Sequence, residues 1–137
     1  GADVIKIEPL GIGDITRQGG YRVDDISAMF LSCNRGKKSV ALDLSQEAGI
    51  DAVKRLAATA DVFVQNFRPG AADRMGIGAD ALHASNPDLI YVSISGFGST
   101  GPYSQWRCFC PIVQACPGVP LVPVFYIHLT LSLILSV

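Results

Sequence analysis

One stretch constrains the fold of this chain more than any other, because residues 38–65 change from a strand pattern to a helix pattern and back. Residues 38–44 read as a strand, and Ser45 is a candidate helix cap. Apolar residues then recur at helical spacing over residues 48–60, and a second strand pattern follows at 61–65. Strand, helix and strand in this order form a βαβ unit, which implies a parallel pair joined by a right-handed crossover. The pattern therefore predicts an α/β domain.

Further elements flank this unit. Periodicity predicts a strand at 3–8, a short helix at 26–31, another helix at 79–85 and a strand at 89–95. Asp24 or Asp25 is the candidate cap of the first helix. The strand at 89–95 is apolar enough to be central in the sheet.

The stretch at 60–76 is the most suggestive for function. Its strand breaks at a sharp turn, residues 68–70, and resumes as a helix start. Strand, turn and helix start is how α/β proteins present ligand-binding groups at the carboxyl edge of a sheet. An amide, a stackable ring and two cations lie at this edge: Asn66, Phe67, Arg68 and Arg74.

Composition limits the classes of partner. Hydrophobic residues make up 49% and charged residues 17%, which is typical of a globular domain. The net charge of −1 gives no general reason to expect nucleic acid or an anionic membrane surface as partner, so any anion recognition must be local. No basic region precedes the first strand, so we expect no signal peptide. Nothing in the sequence suggests an oxidising compartment, so we expect a cytoplasmic location.

Cysteine spacing raises the question of a metal. Three of the four cysteines cluster at Cys108, Cys110 and Cys116, but C-x-C-x5-C is not a usual zinc pattern. We interpret the thiols as reduced and incidental, and expect no metal. The glycine loop at 96–101 formally matches G-x-G-x-x-G, but it is followed at once by Pro102, so a turn close to a ligand or a neighbouring chain is the better interpretation.

The composition changes after Arg107, and we divide the chain there into a partial α/β domain, 1–107, and an apolar tail of doubtful origin, 108–137. Residues 119–137 carry no charge, and their length reaches the range of a membrane span. Pro120 and Pro123 and the lack of basic flanks argue against a span. A buried segment deprived of its remaining domain, and a tail not native to the upstream fold, are the other interpretations.

Four blocks together resemble one family. They are residues 1–8, 34–44, 61–70 and 86–98, the last followed by Gly101-Pro102. In this order and at these spacings the blocks resemble the class III coenzyme A transferases, which include formyl-CoA:oxalate and carnitine-CoA transferases and are related to alpha-methylacyl-CoA racemase. The resemblance covers residues 1–107. It implies a Rossmann-like parallel sheet, incomplete at both ends, and a homodimer of two interlocked subunits.

The resemblance also implies acyl-CoA and carboxylate substrates, with coenzyme A as a substrate and no permanently bound cofactor. By matching position, the residues that line the CoA cleft are Leu42, Asn66, Phe67, Arg74 and Met75. Arg74 can pair with a phosphate. Phe67 and Met75 offer an apolar wall, and Asn66 can satisfy an amide or hydroxyl.

Departures from the family leave three hypotheses open. The transferases use a catalytic aspartate, which by count would fall just past Val137, so no catalytic residue is assigned to this chain. The racemases place a histidine near Cys110, and none stands there. We therefore expect an N-terminal fragment of a CoA transferase. The alternatives are a racemase-like fragment and a non-catalytic CoA-binding module.

Overall fold

The structure, a computed structural model, describes residues 1–106, residue 108 and residues 134–136. The described strands are β1 (Val4–Glu8), β2 (Arg22–Val23), β3 (Ile26–Ser27), β4 (Lys38–Ala41), β5 (Val62–Gln65), β6 (Ile90–Ser93) and β7 (Ile134–Ser136). The described helices are α1 (Ala28–Asn34), α2 (Glu47–Ala57), α3 (Ala71–Arg74) and α4 (Ala79–His83), with a 3-10 turn at Ile15–Arg17. The α/β prediction is confirmed.

The main sheet has the strand order β4-β1-β7-β5-β6. β1 pairs in parallel with β4, and β5 pairs in parallel with β6. β7 is antiparallel to both β1 and β5, so the other four strands point in one direction and end at one carboxyl edge. This edge is where an α/β sheet places its ligands.

Two predictions about strand neighbours were wrong. β4 and β5 run in the same direction, but β1 and β7 lie between them, so the βαβ unit does not form a directly paired couple. β6 stands at the end of the described strand order, where Ile90 is 60% exposed, and not at the centre. Strand order depends on contacts that are distant along the chain, which hydropathy does not encode.

The apolar face of α2 packs into the core as the helical spacing predicts. Val53 and Ala57 are fully buried in one cluster with Phe63 of β5, whose ring stacks on Tyr91 of β6 at 5.2 Å between centroids. The start of α2 lies close to the chain after β4. A Cβ at Gly49 would lie 2.0 Å from the carbonyl oxygen of Asp43, so only glycine allows this approach.

The predicted helix caps were wrong, and local hydrogen bonding explains both cases. Asp24 and Asp25 have positive φ angles of 48° and 64° in the turn that joins β2 to β3. The cap of α1 is Ser27, whose hydroxyl accepts from the amide of Phe30 at 3.3 Å. Ser45 does not cap α2, because the N-cap position falls on Gln46, and the amide and hydroxyl of Ser45 both donate to the Asp43 carboxylate instead.

The interpretations that depend on the tail fall mostly outside the described residues. Cys110, Cys116 and the run at 119–133 lie there, so the structure does not bear on the zinc pattern or on a span in that run. Within the described part of the chain, no helix is both long and apolar enough to cross a membrane.

Candidate functional site

A cavity of about 530 Å³ opens at the carboxyl ends of β1, β4 and β5, and we call it the main cavity. Its volume is in the range of small-molecule sites. Its lining residues come from the ends of the three strands: Ile7, Glu8, Pro9, Leu10, Leu42, Asp43, Leu44, Asn66 and Phe67. Three of the predicted cleft residues, Leu42, Asn66 and Phe67, therefore lie together.

The buried side chain of Gln65 sets the position of the chain that follows β5. Its carbonyl oxygen accepts from the amide of Phe67 at 2.7 Å, and its amide nitrogen donates to the hydroxyl of Ser93 at 2.8 Å. The first bond turns the chain out of the strand, so that Asn66 is exposed and Phe67 is half-buried against the core. Gln65 was not singled out from the sequence, since a polar residue ending a strand gives no separate signal.

The other two predicted residues, Arg74 and Met75, are not among the residues that line the main cavity. The chain between Phe67 and α3 makes a turn in which the Arg68 carbonyl accepts from the amide of Ala71 at 2.9 Å. Gly70, at φ 76° and ψ −5°, occupies the position of this type II turn that favours glycine. The Arg74 guanidinium folds back beside Gly70, and Met75 packs partly against the core.

Two carboxylates line the main cavity, and neither was selected as a site residue from the sequence. Glu8 is the last residue of β1 and is buried. A hydrogen bond from Arg17, supported by bonds from the Asp14 amide and the Ser39 hydroxyl, lowers its pKa to about 2 against the opposing effect of burial. Hydrogen bonds from Ser45 lower the pKa of Asp43. Both groups are therefore anionic at neutral pH.

A second cavity of about 250 Å³ lies on the other side of Phe67, which lines both. Arg68 and Gly96 contribute to its lining, so the predicted glycine loop does run beside a cavity. Three aromatic rings meet here, with centroid separations of 4.6 to 6.2 Å: Phe97, Tyr103 and Trp106. Phe97 and Trp106 line the cavity together with Phe67, which makes it the more aromatic of the two.

Comparison with known proteins identifies the family. The sequence profile described as CoA-transferase family III matches residues 1–123. The chain belongs to this family. The resemblance of its four blocks is thus confirmed over most of the chain.

CoA-transferase family III relatives of known name match at high identity. An acetyl-CoA:oxalate CoA-transferase of Acetobacter aceti is 46% identical over 119 residues, which cover 87% of this chain and 31% of the relative. A succinyl-CoA:glutarate CoA-transferase of Mus musculus is 44% identical over 120 residues, covering 87% of this chain and 28% of the relative. The chain thus spans under a third of the length of the curated relatives that it matches.

A solved structure supports the fold. The crystal structure of a CAIB/BAIF family protein from Brucella suis superposes with a TM-score of 0.80 at 44% identity, covering 87% of this chain and 32% of the other. Most of the described fold is therefore shared with a CAIB/BAIF family protein.

Proposed function

We propose that the protein transfers coenzyme A between an acyl-CoA and a carboxylic acid. The family match over residues 1–123 carries this proposal, and the two curated relatives are named for this exchange with oxalate and glutarate as acids. We propose only the chemical classes of the two substrates, an acyl-CoA and a carboxylic acid, and no particular acyl group or acid. Coenzyme A is a substrate in this reaction, with no permanently bound cofactor proposed.

The main cavity is the proposed place for the adenosine end of coenzyme A. Leu42 and Phe67 supply apolar surface for the flat base, and the exposed amide of Asn66 can bond to its polar edge. Asp43 follows β4 at the carboxyl edge, where α/β folds place an acid that accepts hydrogen bonds from ribose hydroxyls. The lining therefore suits a nucleoside better than a phosphate.

The phosphates of coenzyme A are proposed to lie outside the main cavity, beyond Phe67. Arg68 and Arg74 are both exposed on the turn that leaves β5 and can donate charge-assisted hydrogen bonds to phosphate oxygens. Met75 follows directly and contributes apolar surface beside Arg74. The site thus separates a neutral nucleoside from its anionic groups along one edge.

We also propose that the protein works as a homodimer in the cytoplasm. The segment 10–31 exposes large apolar side chains that a second copy would cover: Leu10 at 57%, Ile12 at 65%, Ile15 at 78%, Tyr21 at 79%, Val23 at 50%, Ile26 at 45% and Leu31 at 49%. The exposed thiol of Cys33 suits a reducing compartment.

Titration calorimetry of the 137-residue chain with coenzyme A tests this proposal. Arg74→Ala should weaken binding by about 10- to 100-fold, since a charge-assisted hydrogen bond contributes roughly 1.5–3 kcal/mol. The matched control is Arg55→Ala, another exposed arginine, in the last turn of α2, which should leave the affinity unchanged. Equal affinities of Arg74→Ala and wild type would refute the phosphate assignment. Failure of wild type to bind coenzyme A saturably would refute the cleft and the function.

A further inference from the structure

The charges around the main cavity conflict with the charge of its proposed ligand. The described residues that line it include two carboxylates, Glu8 and Asp43, and none of them is lysine, arginine or histidine. Coenzyme A carries several phosphate charges, so uncompensated carboxylates in this wall would repel it. Asp43 is partly exposed, so water screens its charge, but the buried carboxylate of Glu8 needs a compensating group behind the wall.

Arg17 lies behind the wall and meets Glu8 in a bidentate pair. Its Nε donates to Oε2 at 2.7 Å, and its Nη2 donates to Oε1 at 2.9 Å. The Glu8 carboxylate also accepts from the Asp14 amide and the Ser39 hydroxyl, each at 2.8 Å. Three groups thus hold the carboxylate through four hydrogen bonds, and among them the guanidinium alone is positively charged.

We propose that Arg17 allows the main cavity to accept a nucleoside whose phosphates lie just outside it, by cancelling the negative charge of Glu8. The proposal deepens the proposed function and rests on it, because coenzyme A is the anion concerned. Arg17 does not line the cavity, so it acts as a specificity-determining residue through Glu8.

The neighbouring charges do not replace Arg17. Lys6 is also buried near this face of β1, but it forms its own ion pair with Asp14. Lys6 and Asp14 together add no net charge. The side chain of Glu8 is only 3% exposed, so water screens its charge poorly and the arginine is the near source of compensation.

Breaking the pair from its two sides has opposite electrostatic effects. Arg17→Gln leaves a buried carboxylate uncompensated in the cavity wall, whereas Glu8→Gln leaves an uncompensated guanidinium behind it. Both changes remove the same ion pair, so a purely structural role would make both variants lose binding. A charge-setting role makes Arg17→Gln lose and Glu8→Gln gain affinity for an anion.

Two ligands with the same adenosine group distinguish an effect of charge from an effect of shape. Adenosine 3′,5′-bisphosphate carries the anionic groups, and adenosine is neutral. Arg17→Gln should weaken binding of the bisphosphate about tenfold and Glu8→Gln should strengthen it about threefold, by the interaction of one charge at several ångströms. Adenosine affinity should change less than about twofold in both variants. The double variant should return to within about threefold of wild type.

Calorimetry on the 137-residue chain measures these affinities, with Arg22→Gln as control because Arg22 pairs with Asp25 on an exposed turn. Circular dichroism checks that the variants are folded. If Arg17→Gln is unfolded, the increase in bisphosphate affinity expected for Glu8→Gln still tests the inference. Losses for both variants, equal losses for both ligands or no change would overturn the inference alone. A wild type that binds neither coenzyme A nor the bisphosphate would overturn the proposed function, and this inference with it.

Discussion

β1 and β5 end at the same edge of one sheet, yet they bury different chemistry. β1 buries Lys6 and Glu8, each in an ion pair with a residue of the following loop. β5 buries Phe63, which stacks on a neighbouring ring, and Gln65, which is neutral. One strand is thus held through charges and the other through packing and neutral hydrogen bonds.

Because the two strands are held by different interactions, they should respond to different perturbations. Buried ion pairs cost desolvation and depend on both partners, so removing one partner leaves a buried charge. Neutral hydrogen bonds and apolar packing involve no titrating or ionic charge, so protonation and ionic screening leave them largely unchanged. Charge substitutions and pH should therefore act through β1, and β5 should respond to the loss of hydrogen bonds and volume.

The largest effect should come from Lys6→Met, which leaves the buried Asp14 carboxylate without its lysine. We expect a loss of about 3–5 kcal/mol in the free energy of unfolding, measured by urea denaturation. Lys38→Met is the matched control, because Lys38 pairs with Asp3 while both side chains are largely exposed, and should cost less than about 1 kcal/mol. Similar losses for both variants would show that burial does not increase the contribution of the β1 ion pair to stability.

A smaller effect is expected at β5. Gln65→Ala removes the hydrogen bonds to Ser93 and to the amide of Phe67, and should cost about 1–3 kcal/mol in urea denaturation. The loss should be the same at low and high salt, because neither hydrogen bond involves a charged group. Gln105→Ala, an exposed glutamine in a turn, is the control and should change stability by less than about 0.5 kcal/mol. A salt-dependent loss of stability in Gln65→Ala would contradict the statement that β5 is held by neutral interactions.

The smallest of the three effects is a response to acid confined to β1. The pKa of Glu8 is lowered from 4.5 to about 2, so the unfolded chain takes up this proton first. The stabilisation is complete above pH 4.5 and is lost as the pH falls towards 2. Because the Arg17 side chain is 39% exposed, we allow for screening and expect about 1–2 kcal/mol.

Urea midpoints measured from pH 6 to 2 for wild type and Glu8→Gln test this response. The difference between the two proteins should shrink as the pH falls through this window. A difference that stays constant with pH would mean that Glu8 is not ionised in the folded protein.

The elements could be predicted from the sequence because their periodicity is local. The strand at 3–8 and the helix within 38–65 are recovered to within a few residues. The strand order could not, since the separation of β4 from β5 depends on pairing between distant segments. The caps were missed because Asp24 and Ser27 are equally good cap residues, and only the turn between β2 and β3 selects one.

The candidate site was predictable in part for a related reason. Asn66 and Phe67 follow a strand at a turn, which is a recognisable signal, and both line the main cavity. Glu8 gave no such signal, because its alternation with Ile7 is the same for a solvated face and for an ion-paired one. Only the loop that brings Arg17 back over β1 distinguishes the two.

The ring of Phe30 joins the two ion pairs of β1. It lies 4.8 Å from the Lys6 ammonium and 4.0 Å from the Arg17 guanidinium, measured to the ring centroid. Because α1 carries this ring, unfolding of the helix removes the aromatic contact of both cations at once. In hydrogen-exchange experiments, the backbone amides of α1 and of the 3-10 turn should therefore lose protection together, as one cooperative unit of local unfolding.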